Sequence, residues 1–398
     1  MNWIEDLIDA AKEAETPTEW LYWSGIATVS AIVAPNVWMN CGGVYNLSPN
    51  VFIMLIGESG LGKGLPIAVS KKLVKMVDST RVISGANTIA SILQTLANTF
   101  GDQKTGTPKF KDSRAYIISG EFANLLQEDK RALPTLTELY DTHYSEDWSS
   151  STKHSGVDKL DKVNITLFGG STPEHFANVV PESDVKGGFV GRILTVYQEK
   201  RSKTNPLDDT EATNQFPYER LAEHLKTIAL VRGPFHWGSP EVRQYWRDWY
   251  HPIREKEIHD PTGAVNRLPD NVRKVAMCLA LAKRVELAIQ LEDLEEAIDK
   301  CMALTIDSKR LTGGKGKSAT GEGTHLVIRT LHQAKDHQVL KGKLLELHYG
   351  TFDIYELDRI IATLEGAGVI ESQMVAGGKI LLKMMPDKVE MIKKFMER

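Results

Sequence analysis

The sequence predicts an α/β core, a helical domain after it, and a small terminal unit of helices closed by a hairpin. Three observations carry this. Residues 51–56 form a short apolar run of strand length, followed by a glycine-rich stretch and then a helical pattern through Met76. From Tyr218 to about Arg310 apolar residues recur at helical spacing, as in Leu221/Leu225/Ile228 and Val272/Val275/Ala276/Leu279. The last stretch, 324–385, reads helix, helix, helix, then two strands around Ala376-Gly377-Gly378. The boundaries drawn are an N-terminal helical segment at 1–45, the core at 46–204, the helical domain at 205–310, a flexible linker at 311–323 and the terminal unit at 324–398.

Taken in order, Trp3, Ile4, Leu7, Ile8 and Ala11 define a first helix, and Thr16-Pro17-Thr18 opens a second that runs to about Val33. Residues 37–44 and 51–56 are expected strands, divided by turn residues at 46–50. Behind the glycine-rich stretch come a strand at 81–84, a helix at 88–100 and a polar loop at 101–111. Residues 113–121 are an apolar run that stops in the carboxylate of Glu121. A helix at 136–144 and a polar hairpin or loop at 146–161 follow. The strand expected at 163–168 ends in Gly169-Gly170-Ser171-Thr172-Pro173-Glu174, and Gly187-Gly188-Phe189-Val190-Gly191-Arg192 leads into a strand at 193–197. The linker holds Gly316-Lys317-Ser318, but no buried strand precedes it, so it is not a phosphate site. In the terminal unit the element order is that of a winged helix.

The chain has 398 residues, 42% hydrophobic and 25% charged, which suits two or three globular domains. A net charge of −4 argues against a surface coated for nucleic acid while leaving room for a local basic loop. Cys41, Cys278 and Cys301 are widely spaced without a CxxC pair, which points to buried thiols in a reducing compartment and no zinc site. The apolar run at 25–37 is too short to span a bilayer and contains Pro35. With an acidic first segment and no leader pattern, the expectation is a cytoplasmic chain with no membrane partner.

Strand, Gly57-Glu58-Ser59-Gly60-Leu61-Gly62-Lys63-Gly64, helix is the layout of a P-loop. Bare backbone N–H groups there wrap a phosphate and a lysine adds a point charge. Gly64 stands where Ser or Thr would offer Mg²⁺ a hydroxyl, and Gly120 where an Asp would offer a carboxylate. Glu121, at a strand end, reads as a general base with Mg²⁺ as its tentative partner, or as a solvated strand-end acid. Ser171 and Thr172 read as γ-phosphate sensors, and Thr-Pro-Glu equally as a helix cap. Arg192, behind flexible glycines, is placed to reach a phosphate; Arg267 and Arg273 are further arginines that would face the nucleotide or solvent. Trp148, Lys153, His154 and Lys159 make the 146–161 segment a candidate for single-stranded DNA, or an ordinary solvated hairpin. The third helix of the terminal unit shows Asp353, Glu356, Asp358 and Glu365 against Arg359, so protein contacts suit it better than groove reading.

With GESGLGKGLP at 57–66, ISGE at 118–121, GGSTPE at 169–174 and GGFVGR at 187–192, the chain resembles the P-loop ATPases of phage and plasmid primase–helicase and replicative-helicase proteins over about residues 15–310. The resemblance implies a RecA/AAA+-like core, ring oligomers such as hexamers, ATP hydrolysis between subunits and work on single-stranded DNA. Carried over by position, Lys63 binds phosphate, Glu121 activates water, Ser171 or Thr172 is the sensor and Arg192 is the finger reaching a neighbour's ATP. No primase module is visible, so a helicase-only chain is expected, in a bacterial host's cytoplasm if phage-encoded. A replication initiator or helicase loader that binds ATP and hydrolyses it slowly is the alternative, and a non-motor P-loop kinase a distant third.

Overall fold

A single stripe of large apolar residues makes the first helix, and apolar residues on every side make the second. Helix α1 (Trp3–Ala10) is capped by the Asn2 side chain, which accepts from the Ile4 N–H at 3.0 Å, and buries Trp3, Ile4 and Leu7. Helix α2 (Thr18–Val33) buries nearly all of its residues, and Gly25 lets Ile4 of α1 pack where a Cβ would sit 3.1 Å from Ile4 Cγ1. The computed structural model describes residues 2–85, 87–97, 112–122, 131–141, 147–152, 156–179, 188–206, 216–255, 263–312 and 321–389.

The elements that follow are β1 (Val37–Cys41), β2 (Tyr45–Leu47), β3 (Phe52–Ile56), α3 (Gly64–Val77), β4 (Arg81–Ser84), α4 (Ile89–Ala97), β5 (Arg114–Ser119) and α5 (Ala132–Tyr140). Then come β6 (Asp147–Thr152), β7 (Gly156–Asp161), β8 (Asn164–Ser171), α6 (Pro173–Val179), α7 (Phe189–Arg192), β9 (Ile193–Tyr197), α8 (Tyr218–Ala229), β10 (Gly233–Trp237), α9 (Pro240–Glu255), α10 (Ala264–Arg284), β11 (Ala288–Ile289) and α11 (Leu291–Thr312).

Five strands form a parallel sheet in the order β4-β5-β8-β3-β9. Their side chains alternate between two cores. Ile53, Leu55, Tyr116, Ile118 and Val196 face one apolar cluster with α2, α3, α8 and α10, while Phe52, Met54, Ile56, Ile117 and Leu167 face a second with α4 and α5. A sheet covered on both faces explains why β3 and β8 are buried at every position. The α/β class is therefore as expected from sequence, and the central sheet is parallel.

Two expectations change. The chain divides once, into Met1–Leu311 and Thr312–Arg398, so the segments drawn at 1–45, 46–204 and 205–310 fold together. The cause is long-range pairing: β1 runs parallel to β10, with Val37 opposite Gly233, and the Trp3 indole donates to the Leu221 carbonyl at 3.0 Å. The 218–310 stretch is also not purely helical, because β10 and β11 join β1 and β2 in a mixed sheet ordered β11-β10-β1-β2. Strands of five and two residues are too short for a periodicity to show.

The second unit holds α12 (Gly321–Gln333), β12 (Gln338–Leu340), α13 (Lys341–His348), α14 (Ile354–Gly366), β13 (Ile370–Val375) and β14 (Lys379–Met384). Its three helices pack Val327, Leu331, Leu344, Leu357 and Ile360 against Leu382 of an antiparallel sheet ordered β12-β14-β13. Asp353 and Glu356 form a capping box at the start of α14. The strand β12 is an addition to the expected order. Among the described residues no helix is long and apolar enough to cross a membrane.

Candidate functional site

The Gly57–Gly64 loop leaves the C-terminal end of β3 and runs directly into α3. Gly57 is bare by necessity: a Cβ would lie 2.6 Å from the Gln198 carbonyl and 2.8 Å from the Trp20 ring. Gly60 and Gly62 have φ of +86° and +91°, where other residues are strained. Gly64 is different, since a Cβ there would meet nothing within 4 Å. Pro66 falls in the first turn of α3, where its missing N–H is harmless. Glu58, Ser59, Gly60, Gly62 and Gly64 are all exposed, so the loop is open.

Lys63 folds back over this loop. Its Nζ donates to the carbonyls of Gly57 and of Glu58 (2.9 Å) and lies 5.8 Å from the Trp20 ring centroid. Burial holds its ammonium below the ordinary lysine value, against the pull of the Glu121 and Glu58 carboxylates. The tip of β8 closes in beside it. A Cβ on Gly170 would lie 3.0 Å from the Gly120 carbonyl and 3.5 Å from Lys63 Cδ. Lys63, Gly170 and the Gly120–Glu121 turn thus meet at the C-terminal end of the parallel strands, where open α/β sheets bind ligands. Glu121 is exposed, and a Cβ on Gly120 would meet nothing within 4 Å.

Two neighbours of the loop escaped the sequence reading. The Thr16 hydroxyl donates to the Gly62 carbonyl at 3.2 Å, and Arg201 donates to the Gly60 carbonyl at 3.2 Å while pairing with Glu15. Each is far from the loop in sequence, so no local pattern marks it.

The remaining expected residues are placed as follows. Ser171 is buried and donates to the Thr172 carbonyl at 3.2 Å. Thr172 caps α6, its Oγ1 accepting from the His175 N–H at 3.2 Å, which is the cap arrangement weighed above. Arg192 does not project from the core. It is 8% exposed and folds onto Asp141, with Nε at 3.1 Å from Oδ2 and Nη1 donating to the Gly188 carbonyl at 2.6 Å. Arg267 grips the other side of the same carboxylate, at 3.0 and 3.2 Å, instead of facing the loop. Burial alone would raise the Asp141 carboxyl; the hydrogen bonds and charges of Arg192 and Arg267 outweigh it and hold it below the usual carboxylate range. Arg273 is committed to Asp270, Cys41 and Tyr45.

This ion cluster lies at the opposite end of the strands. Phe52 pairs with Ile193 and Ile56 with Tyr197, so Arg192 precedes β9 at the end where β3 begins. At about 3.3 Å per residue the two ends are about 20 Å apart. Arg192 cannot reach its own chain's loop. Beside it Lys274, fully buried, donates to Asn50 Oδ1 at 2.9 Å and sits 3.8 Å from the Tyr140 ring centroid. Burial pushes its ammonium down to about 7, although Asp270 and Asp141 pull the other way.

In the β6–β7 hairpin, Trp148 is opposite Leu160 and Ser149 opposite Lys159. Trp148 and Lys159 therefore point to different faces and do not form one platform. The Trp148 indole donates to Glu138 at 3.0 Å and packs on the second core, while Lys159 is exposed. Lys153 and His154 lie outside the described residues. No protein-family model matches the chain, and no curated protein matches it.

Proposed function

We propose that the chain is a P-loop ATPase that binds ATP at Gly57–Gly64 and works, as a ring of the replicative-helicase kind, on single-stranded DNA. One observation carries the nucleotide part: Lys63, the bare Gly170 tip and Glu121 converge beside an open glycine loop. Loop N–H groups and Lys63 would hold the phosphates, Glu121 would take the proton of the attacking water, and Ser171 is the remaining sensor candidate because Thr172 is used as a cap. The residues offer few ligands of their own to a magnesium ion arriving with the triphosphate, which phosphates and water would mainly hold. Gly64 brings no hydroxyl and Gly120 no carboxylate, and no cluster of three ligating side chains occurs among the described residues, so Glu121 would be its main protein ligand. Bound there, magnesium would offset phosphate charge. The second unit fits the winged-helix reading, with its acidic third helix suited to replication-protein contacts.

The test is a nucleotide titration. Lys63→Ala should weaken ATP binding by about a hundredfold or more, since the phosphates lose their cation; unchanged affinity would sink the assignment. A second reading, an initiator or loader that hydrolyses slowly, is favoured by the two missing magnesium contacts and by the clamp on Arg192. Mixing decides between them. Glu121→Gln and Arg192→Lys subunits, each inactive alone, should regain part of their turnover together if Arg192 serves a neighbour's ATP, worth about three to five orders of magnitude in rate. A co-assembled mixture that stays inactive removes the ring motor and leaves the loader.

A further inference from the structure

Away from the glycine loop, β10 and α9 border a cleft of about 580 Å³ lined by Trp237, Arg243, Gln244 and Arg247. On α9, Arg243, Arg247, His251 and Arg254 recur at spacings of four, four and three residues, so they share one face about 16 Å long. Arg243 and Arg247 are exposed, and neither has an ion-pair partner among the described residues. Trp237 forms part of the cleft wall. Its indole stacks on Trp246 with centroids 5.6 Å apart and planes at 27°, and Trp246 is braced in turn by Trp249 and Tyr250. The neighbouring face of α9 carries Glu241, Asp248 and Glu255, and Asp248 accepts from Gln244 at 2.8 Å.

We propose that this cleft and arginine face bind single-stranded nucleic acid, the arginines on successive phosphates and a base against Trp237. Unpaired arginines supply charge for a polyanion, and guanidinium forks suit phosphate. A braced indole offers a flat face that unpaired bases can stack on and paired bases cannot. The acidic face beside the arginines limits the width of the track, which admits one strand and repels the second strand of a duplex. An acidic protein segment would satisfy the arginines but leave the indole wall without a role. No residue of the Gly57–Gly64 loop takes part, so the site stands or falls apart from the ATPase reading.

The experiment uses the full chain without nucleotide and labelled oligothymidylate, read by fluorescence anisotropy across a salt series. Arg243→Gln with Arg247→Gln, both exposed, should weaken binding by about tenfold or more and reduce the salt slope by about 1.4. Trp237→Ala should cost about fivefold or more, and Trp237→Phe, which keeps a ring and the fold, should retain most of the affinity. Lys63→Ala should bind as the unaltered chain does, which separates this site from the nucleotide loop. Unchanged affinity and slope in the double arginine variant overturn the proposal. So does equal competition by a matched DNA duplex, or by polyglutamate of the same charge, which would assign the face to an acidic protein instead.

Discussion

The two ends of the parallel strands are built on opposite principles. At the C-terminal end the groups are exposed and sparsely paired: an open glycine loop, a solvated Glu121, and a Gly120 and Gly64 with free space around them. At the N-terminal end the charges are buried or half-buried and answered from within, Asp141 by Arg192 and Arg267, Lys274 by Asn50 and the Tyr140 ring. An end whose polar groups already have partners is structural in the single chain. An end whose loop and carboxylate stay open to solvent is where a charged ligand costs least to admit.

The sharpest way to break this contrast is to unpair the closed end. Asp141→Ala would leave two guanidinium groups facing each other without a counter-charge and should cost about 3 kcal/mol in urea denaturation. A loss below about 1 kcal/mol would mean that solvent reaches the cluster freely. At the open end the four loop glycines should separate by position. Gly57→Ala drives a Cβ into the Gln198 carbonyl and the Trp20 ring and should cost about 2 kcal/mol, whereas Gly64→Ser should leave stability unchanged within about 0.5 kcal/mol. If the loop holds nucleotide, Gly64→Ser should also tighten the magnesium dependence of ATP binding; equal losses for the two glycines would refute the open-space argument.

The closed end also makes stability depend on pH. Lys274 has a folded value pulled down to about 7, so above it the unfolded chain binds the extra proton up to the ordinary lysine value. Stability should therefore rise with pH from about 7 toward about 10, and the penalty is fullest below 7. Lys274→Met should flatten that rise in melts taken between about pH 7 and about pH 9. A slope that persists in the variant would place the titrating group elsewhere.

Much of the open end was legible because its features are consecutive. The run from 51 to 76 states strand, loop and helix without a break, and Glu121 stands out as a charge ending an apolar strand. The closed end was not legible. Asp141, Asn50 and the helix α10 that carries both Arg267 and Lys274 are three separate stretches of chain, and a lysine inside an apolar helix stripe gives no hint that its partner is an asparagine far upstream. Arg192 was noticed for its glycines, but its direction depended on Asp141. Trp148 and Lys159 looked like one basic and aromatic patch until strand register set them on opposite faces. Strands β10 and β11 were missed for brevity, and with β10 went the cleft that it forms with α9.

The pairing of Val37 with Gly233 has a consequence for how this chain is made. During synthesis from the N-terminus, β1 and the apolar flanks of α2 leave the ribosome long before β10 and α10 exist to cover them. The whole parallel sheet is translated inside that interval. Closure of so distant a contact is slow, and the waiting helix is greasy on nearly every side. The nascent chain up to about residue 230 should thus be a client for chaperones, and the helix that follows the glycine loop should be fully supported only after α8 has docked on α3.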